Sequence, residues 1–333
     1  MNVVQGVGMS LNDSAKQAVP GQQVQWLEVD GNQAGQRLDN FLMARLKGVP
    51  RTLVYRIIRK GEVRVNKSRA KADTRIAEGD VVRVPPLRMA PQEAVQEVSD
   101  NLRRVLLSSV IAETDGWLAV NKPSGLSVHG GTGVKIGLIE ALRQVRTDLS
   151  FIELVHRIDR DTSGCLLIAK SREALLRLSD DIKHKRMDKR YMALVEGRWP
   201  AAREWVSAPL LRYESGNGER RVKVDKSGKR SRTTFNVIET FEGATLIEAS
   251  PITGRTHQIR VHAAHSGHAL LHDAKYGSRQ GERLAAQWGL ERLFLHARSL
   301  AFDDPFTGKR IELKARLDPA LQAVIERARQ SQQ

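Results

Sequence analysis

The sequence predicts an α+β protein in which a small, basic α/β module precedes a larger domain with a mixed, largely antiparallel sheet. Three observations predict this fold class. The chain has 333 residues, which is more than one average domain requires. Residues 37–88 carry a net charge of +9, more than half of the total of +16. Beyond them, short strand-like runs are interrupted by few helical stretches, which favours antiparallel pairing over a doubly wound sheet.

The composition indicates a folded protein with a polyanionic partner. Hydrophobic residues form 41% of the chain, which excludes a wholly disordered protein, and 54 Lys and Arg against 38 Asp and Glu favour nucleic acid as the partner. The single cysteine, Cys165, excludes an internal disulfide and weakly favours a reducing compartment. No apolar run reaches the roughly 18 residues of a membrane helix, and residues 1–23 lack a signal sequence. We therefore expect no membrane association and a cytoplasmic location.

The basic module is expected to span residues 35–88, after a flexible tail of residues 1–23. Apolar residues at helical spacing predict two short helices, with Pro50 before the second and Gly61 at its end. Alternating polar and apolar residues predict two half-buried strands. The predicted elements are helices over 38–46 and 53–58 and strands over 62–66 and 80–84.

Seven basic side chains of this module are candidates for one RNA-binding face, although a solvated surface without a partner is the plainer interpretation. They lie off the apolar stripe of the second helix or in the loop after the first strand, and they are Arg51, Arg56, Arg59, Lys60, Lys67, Arg69 and Lys71. The order of helices and strands, with Gln36–Asp39 at its start and Arg59–Asn66 in its middle, resembles the alpha-L RNA-binding module of a small-subunit ribosomal protein and of bacterial tyrosyl-tRNA synthetases. That resemblance implies structured RNA, recognised through shape and phosphates.

A linker is predicted over residues 89–105, because Pro85-Pro86 introduces a polar stretch without a clear period. The larger domain then spans residues 106–325. Its predicted strands are 109–112, 117–120, 166–169, 191–195, 233–238 and 244–249, and its predicted helices lie near 135–146, 172–185 and 256–266.

Several familiar motifs are absent or incomplete. The glycines from Gly130 to Gly137 fit neither a dinucleotide-binding loop nor a phosphate-binding loop. Asp161-Thr162-Ser163-Gly164 resembles an aspartic protease signature, but such a site needs two copies. Five histidines between His257 and His272 lack the Cys or carboxylate partners of a tetrahedral site, so packing or phosphate contacts are favoured over a metal, and we expect none.

One string combines carboxylates and guanidiniums at the entrance of an apolar strand: Leu154-Val155-His156-Arg157-Ile158-Asp159-Arg160-Asp161-Thr162-Ser163-Gly164. By composition alone, a salt-bridged turn explains it. It resembles the central motif of the RluA family of pseudouridine synthases, with Ile158 in place of a leucine. Three more motifs of the family are present in the family's order along the chain, namely Asn121–Gly125 before this string and Lys189–Ala193 and Thr253–His262 after it. The resemblance covers roughly residues 108–315. Together with the basic module, the chain resembles the subfamily that modifies large-subunit ribosomal RNA.

The resemblance implies the pseudouridine synthase fold and assigns roles to five residues. Asp159 is the catalytic aspartate, Arg260 the partner that keeps it ionised, and Tyr191 the tyrosine of the site, which otherwise is a plain core residue. Arg157 fills the space that an extruded uridine leaves. The turn at His129 offers backbone N–H groups to a phosphate, although a simple tight turn explains it equally well.

The family implies an isomerase that needs no cofactor, with large-subunit ribosomal RNA as its partner, and nothing in the sequence demands more than a monomer. Three alternatives stay open. A noncatalytic ribosome-assembly factor accounts for the charge, a metal-dependent nuclease accounts for the histidines, and a pseudouridine synthase acting on another structured RNA, such as tRNA, accounts for the motifs.

Overall fold

The computed structural model describes residues 23–46, 48–87, 97–130, 136–202, 204–216 and 218–331. The chain divides into two compact units, residues 1–95 and residues 96–333. Nearly all of the predicted tail, residues 1–23, lies outside the described residues. None of the described helices is long and apolar enough to cross a membrane.

The first unit packs two helices on a four-stranded antiparallel sheet. Its elements are β1 (Gln25–Glu28), α1 (Leu38–Arg45), α2 (Arg51–Arg59), β2 (Arg64–Val65), β3 (Ser68–Arg69) and β4 (Val81–Val84), and the strand order is β1-β4-β2-β3. The two predicted helices are confirmed, with Pro50 at the start of α2 and Gly61 at a positive φ of 72° just beyond it. The unit begins earlier than residue 35, because β1 pairs with β4 along four residues.

The second unit begins with a helix where the sequence predicts the end of a linker. This helix, α3 (Asp100–Ser108), is capped by Ser99, whose Oγ accepts the Leu102 N–H at 3.3 Å. Leu106 is fully buried in the core of the unit. The predicted linker is therefore too long at its C-terminal end, because a single turn of apolar contacts is enough to hold a capped helix that looks polar in sequence.

A ten-stranded mixed sheet forms the body of the second unit. Its strands and helices, in chain order, are β5 (Val110–Glu113), β6 (Trp117–Lys122), α4 (Leu138–Val145), β7 (Glu153–Leu154), β8 (Ser163–Ala169), α5 (Arg172–Lys183), β9 (Asp188–Glu196), β10 (Trp205–Ser207), β11 (Leu210–Glu214), β12 (Arg220–Val224), β13 (Arg232–Phe241), β14 (Ala244–Pro251), α6 (Gln258–His265), α7 (Arg279–Gln287), β15 (Leu295–Asp303), β16 (Arg310–Lys314) and α8 (Pro319–Gln330). The main order is β10-β13-β14-β9-β15-β8-β6-β5, with β16 beside β15 and β7 beside β8, while β11 and β12 form a separate hairpin. The predicted α+β class with largely antiparallel pairing is confirmed.

The parallel contact between β8 and β15 fixes where the central motif lies. Gly164 has a φ of 112°, and a Cβ atom on it would lie 2.2 Å from the Ala297 carbonyl oxygen. Only glycine therefore allows the two strands to approach at this point. Because β8 starts at Ser163, the loop that carries Asp159 comes directly before the centre of the sheet.

Candidate active site

A cleft of about 1010 Å³ opens at the N-terminal end of β8, and every catalytic candidate from the sequence lines it. Asp159, Tyr191, Arg260, Arg157 and His129 all line it. Four separate segments of the second unit therefore meet in one cleft, as the family resemblance implies.

The loop that carries Asp159 is fixed by local hydrogen bonds. The Thr162 N–H donates to the Asp159 carbonyl at 3.2 Å, which closes a turn after the aspartate. Further back, the Leu167 N–H donates to Nε2 of His156 at 3.1 Å and ties the loop to β8. Burial lowers the pKa of His156 to about 3, so the ring stays neutral and can accept this bond. The Asp159 side chain keeps 30% of its surface exposed toward the cleft.

Lys122 holds the backbone of the loop that carries Asp159, a role that the sequence did not reveal. Its side chain is fully buried, and its Nζ donates to the carbonyl oxygens of Pro123, Leu126 and Arg160 at 2.7–2.8 Å. Burial lowers the pKa of Lys122 to about 7. The motif at residues 121–125 therefore holds the backbone next to Asp159 and does not itself line the cleft.

Arg260 lies on α6, the predicted short helix, with 4% of its side chain exposed. Its Nη1 is 3.8 Å from Oδ2 of Asp159, while Nε and Nη2 donate to the two carboxylate oxygens of Asp273 at 2.7 and 2.6 Å. Burial acts to lower the pKa of Arg260, but the hydrogen bonds to Asp273 and the nearby Asp159 outweigh it and raise the pKa. Arg260 is therefore a buried arginine held beside Asp159.

Asp273 and Tyr276 hold Arg260 from behind the cleft, and neither was a candidate from the sequence. The fully buried Asp273 carboxylate also accepts the backbone N–H groups of Lys275 and Tyr276, at 2.9 and 3.1 Å. The Arg260 guanidinium carbon lies 5.1 Å from the centre of the Tyr276 ring. The Tyr276 hydroxyl accepts the Val222 N–H at 3.0 Å and lies 2.7 Å from Nδ1 of His257, which lines the cleft.

Tyr191 presents its ring to the cleft from β9. Its side chain packs against both cores that flank this part of the sheet. Burial, reinforced by the Asp159 carboxylate, raises the pKa of Tyr191, so the phenol stays protonated. The hydroxyl can therefore donate a proton or a hydrogen bond inside the cleft.

The hairpin of β11 and β12 forms one wall of the cleft. Arg212 of β11 donates to the Thr256 hydroxyl, and Lys275 pairs with Glu219 at 2.7 Å. The first of these contacts ties the hairpin to the loop before α6, and the second ties it to the segment after Asp273.

The prediction that backbone N–H groups near His129 bind phosphate does not fit for Gly130. Its N–H donates to Oε2 of Glu140 at 3.0 Å, and the Gly137 N–H donates to the same oxygen at 3.1 Å. The His129 ring is 3.6 Å from the same carboxylate and 46% exposed. The Gly130 N–H is therefore already paired with an acid, whereas the His129 imidazole lines the cleft, and Gly131 lies outside the described residues.

The histidines near α6 serve separate local contacts. His262 lies between the hydroxyls of Ser231 and Thr233 at 3.0 and 2.9 Å, and His268 bonds the Glu196 carbonyl at 2.9 Å. Among the described residues, no three His, Cys, Asp or Glu side chains are grouped so as to hold a metal ion.

In the first unit, the seven basic candidates are all exposed. Arg69 donates to the Lys60 carbonyl at 3.1 Å and lies against Gly61, so the end of α2 meets the β2–β3 turn. Lys60 approaches Glu62 at 3.9 Å. Across the described part of the chain, the remaining charges of this group make no ion pair, and they are Arg51, Arg56, Arg59, Lys67, Arg69 and Lys71.

Comparisons with known proteins agree with this geometry. Residues 116–265 match the family described as RNA pseudouridylate synthase, and residues 36–82 match the S4 domain. Proteins named ribosomal large subunit pseudouridine synthase C from Yersinia pestis and Escherichia coli (strain K12) are 52% and 47% identical to this chain. The alignments cover 90% and 92% of this chain and 93% and 97% of those relatives. The solved structure titled Human RNA Pseudouridylate Synthase Domain Containing 4 shares the fold, with a TM-score of 0.57, 22% identity, and coverage of 69% of this chain and 96% of that one.

Proposed function

The chain belongs to the RNA pseudouridylate synthase family, and we propose that it isomerises particular uridines of large-subunit ribosomal RNA to pseudouridine, with Asp159 as the catalytic carboxylate. The observation that carries the assignment of Asp159 is its position: it is partly exposed in the cleft and 3.8 Å from a buried arginine. The substrate class is supported by the names of the relatives that match along nearly the whole chain.

The reaction defines what the cleft has to supply. The bond between N1 of the uracil and C1′ of the ribose breaks, the base turns, and C5 bonds to C1′. The C5 proton then leaves and N1 carries a proton, so the product is an isomer. A carboxylate can form a covalent intermediate with the nucleoside or stabilise a cationic sugar, and it can later help to remove the C5 proton. We assign these tasks to Asp159.

Arg260 supports the ionised form of that carboxylate. A carboxylate covered by a bound base tends to take up a proton unless a cation lies nearby. Two donor atoms of Arg260 are held by Asp273, which leaves Nη1 directed toward Asp159. We propose that Arg260 stabilises the negative charge of Asp159 while the cleft is closed by RNA.

Tyr191 and Arg157 act on the extruded nucleotide. The Tyr191 ring can stack on the uracil, and its protonated hydroxyl can take part in proton transfer near C5. Extrusion of a nucleotide costs a few kcal/mol, which side chains that replace the base must offset. Arg157 is exposed at the cleft and is proposed to fill that space, and the His129 imidazole contacts the RNA backbone.

The S4 domain is proposed to anchor structured RNA through its basic side chains. Side chains such as Arg51, Arg56 and Arg59 reach phosphates without reading base sequence, because A-form RNA hides its base edges in a narrow groove. We also propose that the protein works in the cytoplasm, where ribosomal RNA is available, and as a monomer, because Asp159, Arg260 and Tyr191 all come from one chain.

The decisive experiment replaces Asp159 by asparagine. The neutral amide cannot form a stable ester or accept a proton, so we expect Asp159→Asn to abolish release of tritium from ribosomal RNA labelled at C5 of uridine. RNA binding should stay within about twofold, because the change removes no phosphate contact. Asp161→Asn is a matched control, since Asp161 also lines the cleft but pairs with Arg160 at 2.9 Å.

The outcomes separate the proposals. Full tritium release by Asp159→Asn excludes Asp159 as the catalytic carboxylate. Equal loss in Asp161→Asn means that general charge in the cleft, and no particular carboxylate, supports the reaction. Release from unmodified tRNA but not from large-subunit ribosomal RNA would overturn the substrate class and leave the chemistry intact.

A further inference from the structure

A second groove, of about 550 Å³, continues from the catalytic cleft onto the large sheet. Lys189, Thr253, Gly254 and Arg255 line both spaces. The groove then follows β9, β14 and β13 on the face that carries Thr234 and Ser250. A strand of RNA that leaves the cleft past Arg255 therefore enters this groove without crossing another element.

The groove has more positive than negative side chains, and some of the positive ones make no ion pair among the described residues. Its cations are Lys183, Lys185, Lys189, Arg190 and Arg255. Both of its acids are already paired, because Glu248 accepts from Arg190 at 3.1 Å and Asp188 pairs with Arg310. Within the described residues, the exposed Lys183 and Lys185 ammonium groups have no ion pair. The groove therefore offers at least two free cations to a polyanion.

An aromatic side chain lies at the outer edge of the same face. Trp205 of edge strand β10 pairs with Thr234, and facing residues of antiparallel strands project on the same side. The Arg232 guanidinium carbon lies 4.6 Å from the centre of the indole, and Trp205 remains 51% exposed. The backbone of Arg232 is fixed by Gln258, a residue of the cleft, whose side-chain amide donates to the Arg232 carbonyl at 2.9 Å.

We propose that this groove and the Trp205–Arg232 stack form a second RNA-binding surface, which holds an unpaired strand next to the target uridine. Trp205 stacks on one base, and Lys183, Lys185 and Arg232 contact phosphates. An exposed aromatic ring beside free cations is the arrangement that binds single strands without reading their sequence. The proposal rests on the proposed function, because it needs a target uridine in the cleft.

The test uses the full chain and unmodified large-subunit ribosomal RNA transcribed in vitro. The variants are Lys183→Gln/Lys185→Gln and Trp205→Ala, and the charge-matched control is Arg103→Gln/Arg104→Gln. Arg103 and Arg104 are exposed on α3, which directly precedes β5 at one edge of the sheet, whereas the groove follows β9, β14 and β13 toward the opposite edge. Filter binding over a range of salt concentrations gives the affinity, and tritium release gives KM and the single-turnover rate.

We expect the affinity of the double lysine variant to fall less steeply with salt. The log–log slope should lose about 1.5 in magnitude, since each lost phosphate contact contributes roughly 0.7–0.9. Trp205→Ala should weaken binding about fivefold or more, the lower end for one lost base stack, and Trp205→Phe should restore most of it. KM should rise with affinity loss in each variant, while the single-turnover rate at saturating RNA stays at the wild-type value.

Two results would overturn the groove proposal. One is that the Lys183→Gln/Lys185→Gln variant has the same affinity and the same salt slope as the Arg103→Gln/Arg104→Gln control. The other is a loss in Trp205→Ala that Trp205→Phe does not recover although both variants unfold at the wild-type temperature. Failure of the proposed function looks different, because the wild-type protein would then release no tritium from this RNA.

Discussion

At the scale of single residues, the candidate site is an arginine shared between two carboxylates of unequal burial. Asp273 is fully buried and takes two hydrogen bonds from Arg260, whereas Asp159 is 30% exposed and lies 3.8 Å from the third donor. The buried pair fixes the guanidinium, and the exposed carboxylate stays free to meet a substrate. Asp273 is thus a positioning residue, separate from the proposed catalytic one.

Replacement of Asp273 by asparagine tests this separation. The amide cannot accept two charge-assisted bonds, so Arg260 should shift, and we expect kcat for tritium release to fall about tenfold to a hundredfold, the usual cost of a small misplacement. RNA affinity should stay unchanged. The measurement is single-turnover release at a temperature where circular dichroism shows the variant folded.

The control for that change is Asp304→Asn, which alters another buried acid of the same unit. Asp304 accepts the Trp117 indole N–H at 2.7 Å, and neither residue lines the cleft. This variant should lose stability but keep its kcat. If both variants lose activity in proportion to stability, then Asp273 has only a structural role.

At the scale of elements, the loop that carries Asp159 is held by a strand that the sequence predicted and by a side-chain hydrogen bond that it did not predict. The apolar run at residues 166–169 predicted β8, and β8 supplies the Leu167 N–H that His156 accepts at 3.1 Å. This bond needs a neutral imidazole, because a doubly protonated ring has no acceptor. The attachment of the loop to β8 is therefore sensitive to acid.

We expect the free energy of unfolding to fall as pH decreases from about 6.5 toward 3, in part through His156. Its folded pKa is about 3 and its unfolded pKa is near 6.5, so in this window the unfolded chain binds a proton that the folded chain does not. One such proton contributes up to about 1.4 kcal/mol per pH unit.

Urea unfolding between pH 7 and 4 measures this contribution. His156→Asn lacks the titrating ring, so its stability should depend less steeply on pH than that of the wild-type protein. His184→Asn is the matched control, because it removes a half-exposed histidine at the surface by the same change. Parallel curves for His156→Asn and the wild-type protein would contradict the assignment.

At the scale of the whole molecule, charge and catalytic groups are assigned to different units. More than half of the net charge of +16 belongs to residues 37–88, whereas the proposed catalytic groups all belong to the second unit. Electrostatic binding by the S4 domain falls steeply with salt, and the chemical step in the cleft does not. Binding and catalysis should therefore be separable by mutation.

A triple replacement of Arg51, Arg56 and Arg59 by glutamine tests that separation. We expect the salt dependence of RNA binding to become less steep by about 2.1–2.7 in the log–log slope, since three phosphate contacts are lost, and kcat at saturating RNA to stay unchanged. The control removes three exposed arginines of the second unit, Arg103, Arg104 and Arg279, by the same change. Equal slopes for the two triple variants would show that only total charge matters.

Much of the fold was predictable because the signals are local. Helical spacing, Pro50 and Gly61 located α1 and α2, and strand-like runs located parts of β6, β8, β9, β13 and β14, since these patterns act over a few residues. β1 and α3 were not predicted, because neither short segment shows a clear period in the sequence, and their apolar residues gain meaning only when β4 and the core of the second unit cover them.

The candidate site shows the same division. Motif resemblance named Asp159, Tyr191, Arg260, Arg157 and His129, and all five line the cleft. It did not name Asp273 or Tyr276, which lie 13 and 16 residues beyond Arg260 and look like an ordinary acid and a core tyrosine in sequence. A hint was available, because a buried arginine needs a buried acid nearby.

By itself, the sequence determined the α+β class, the concentration of positive charge in the first unit and the residue types that the chemistry requires. Only the tertiary structure decided which charges meet: that Arg260 lies between Asp159 and Asp273, that Glu140 occupies the Gly130 N–H, and that Trp205 and Arg232 share one open sheet face. The physical reason is range. Propensity and periodicity act between neighbours along the chain, whereas ion pairs and burial depend on strand register and packing that bring distant residues together.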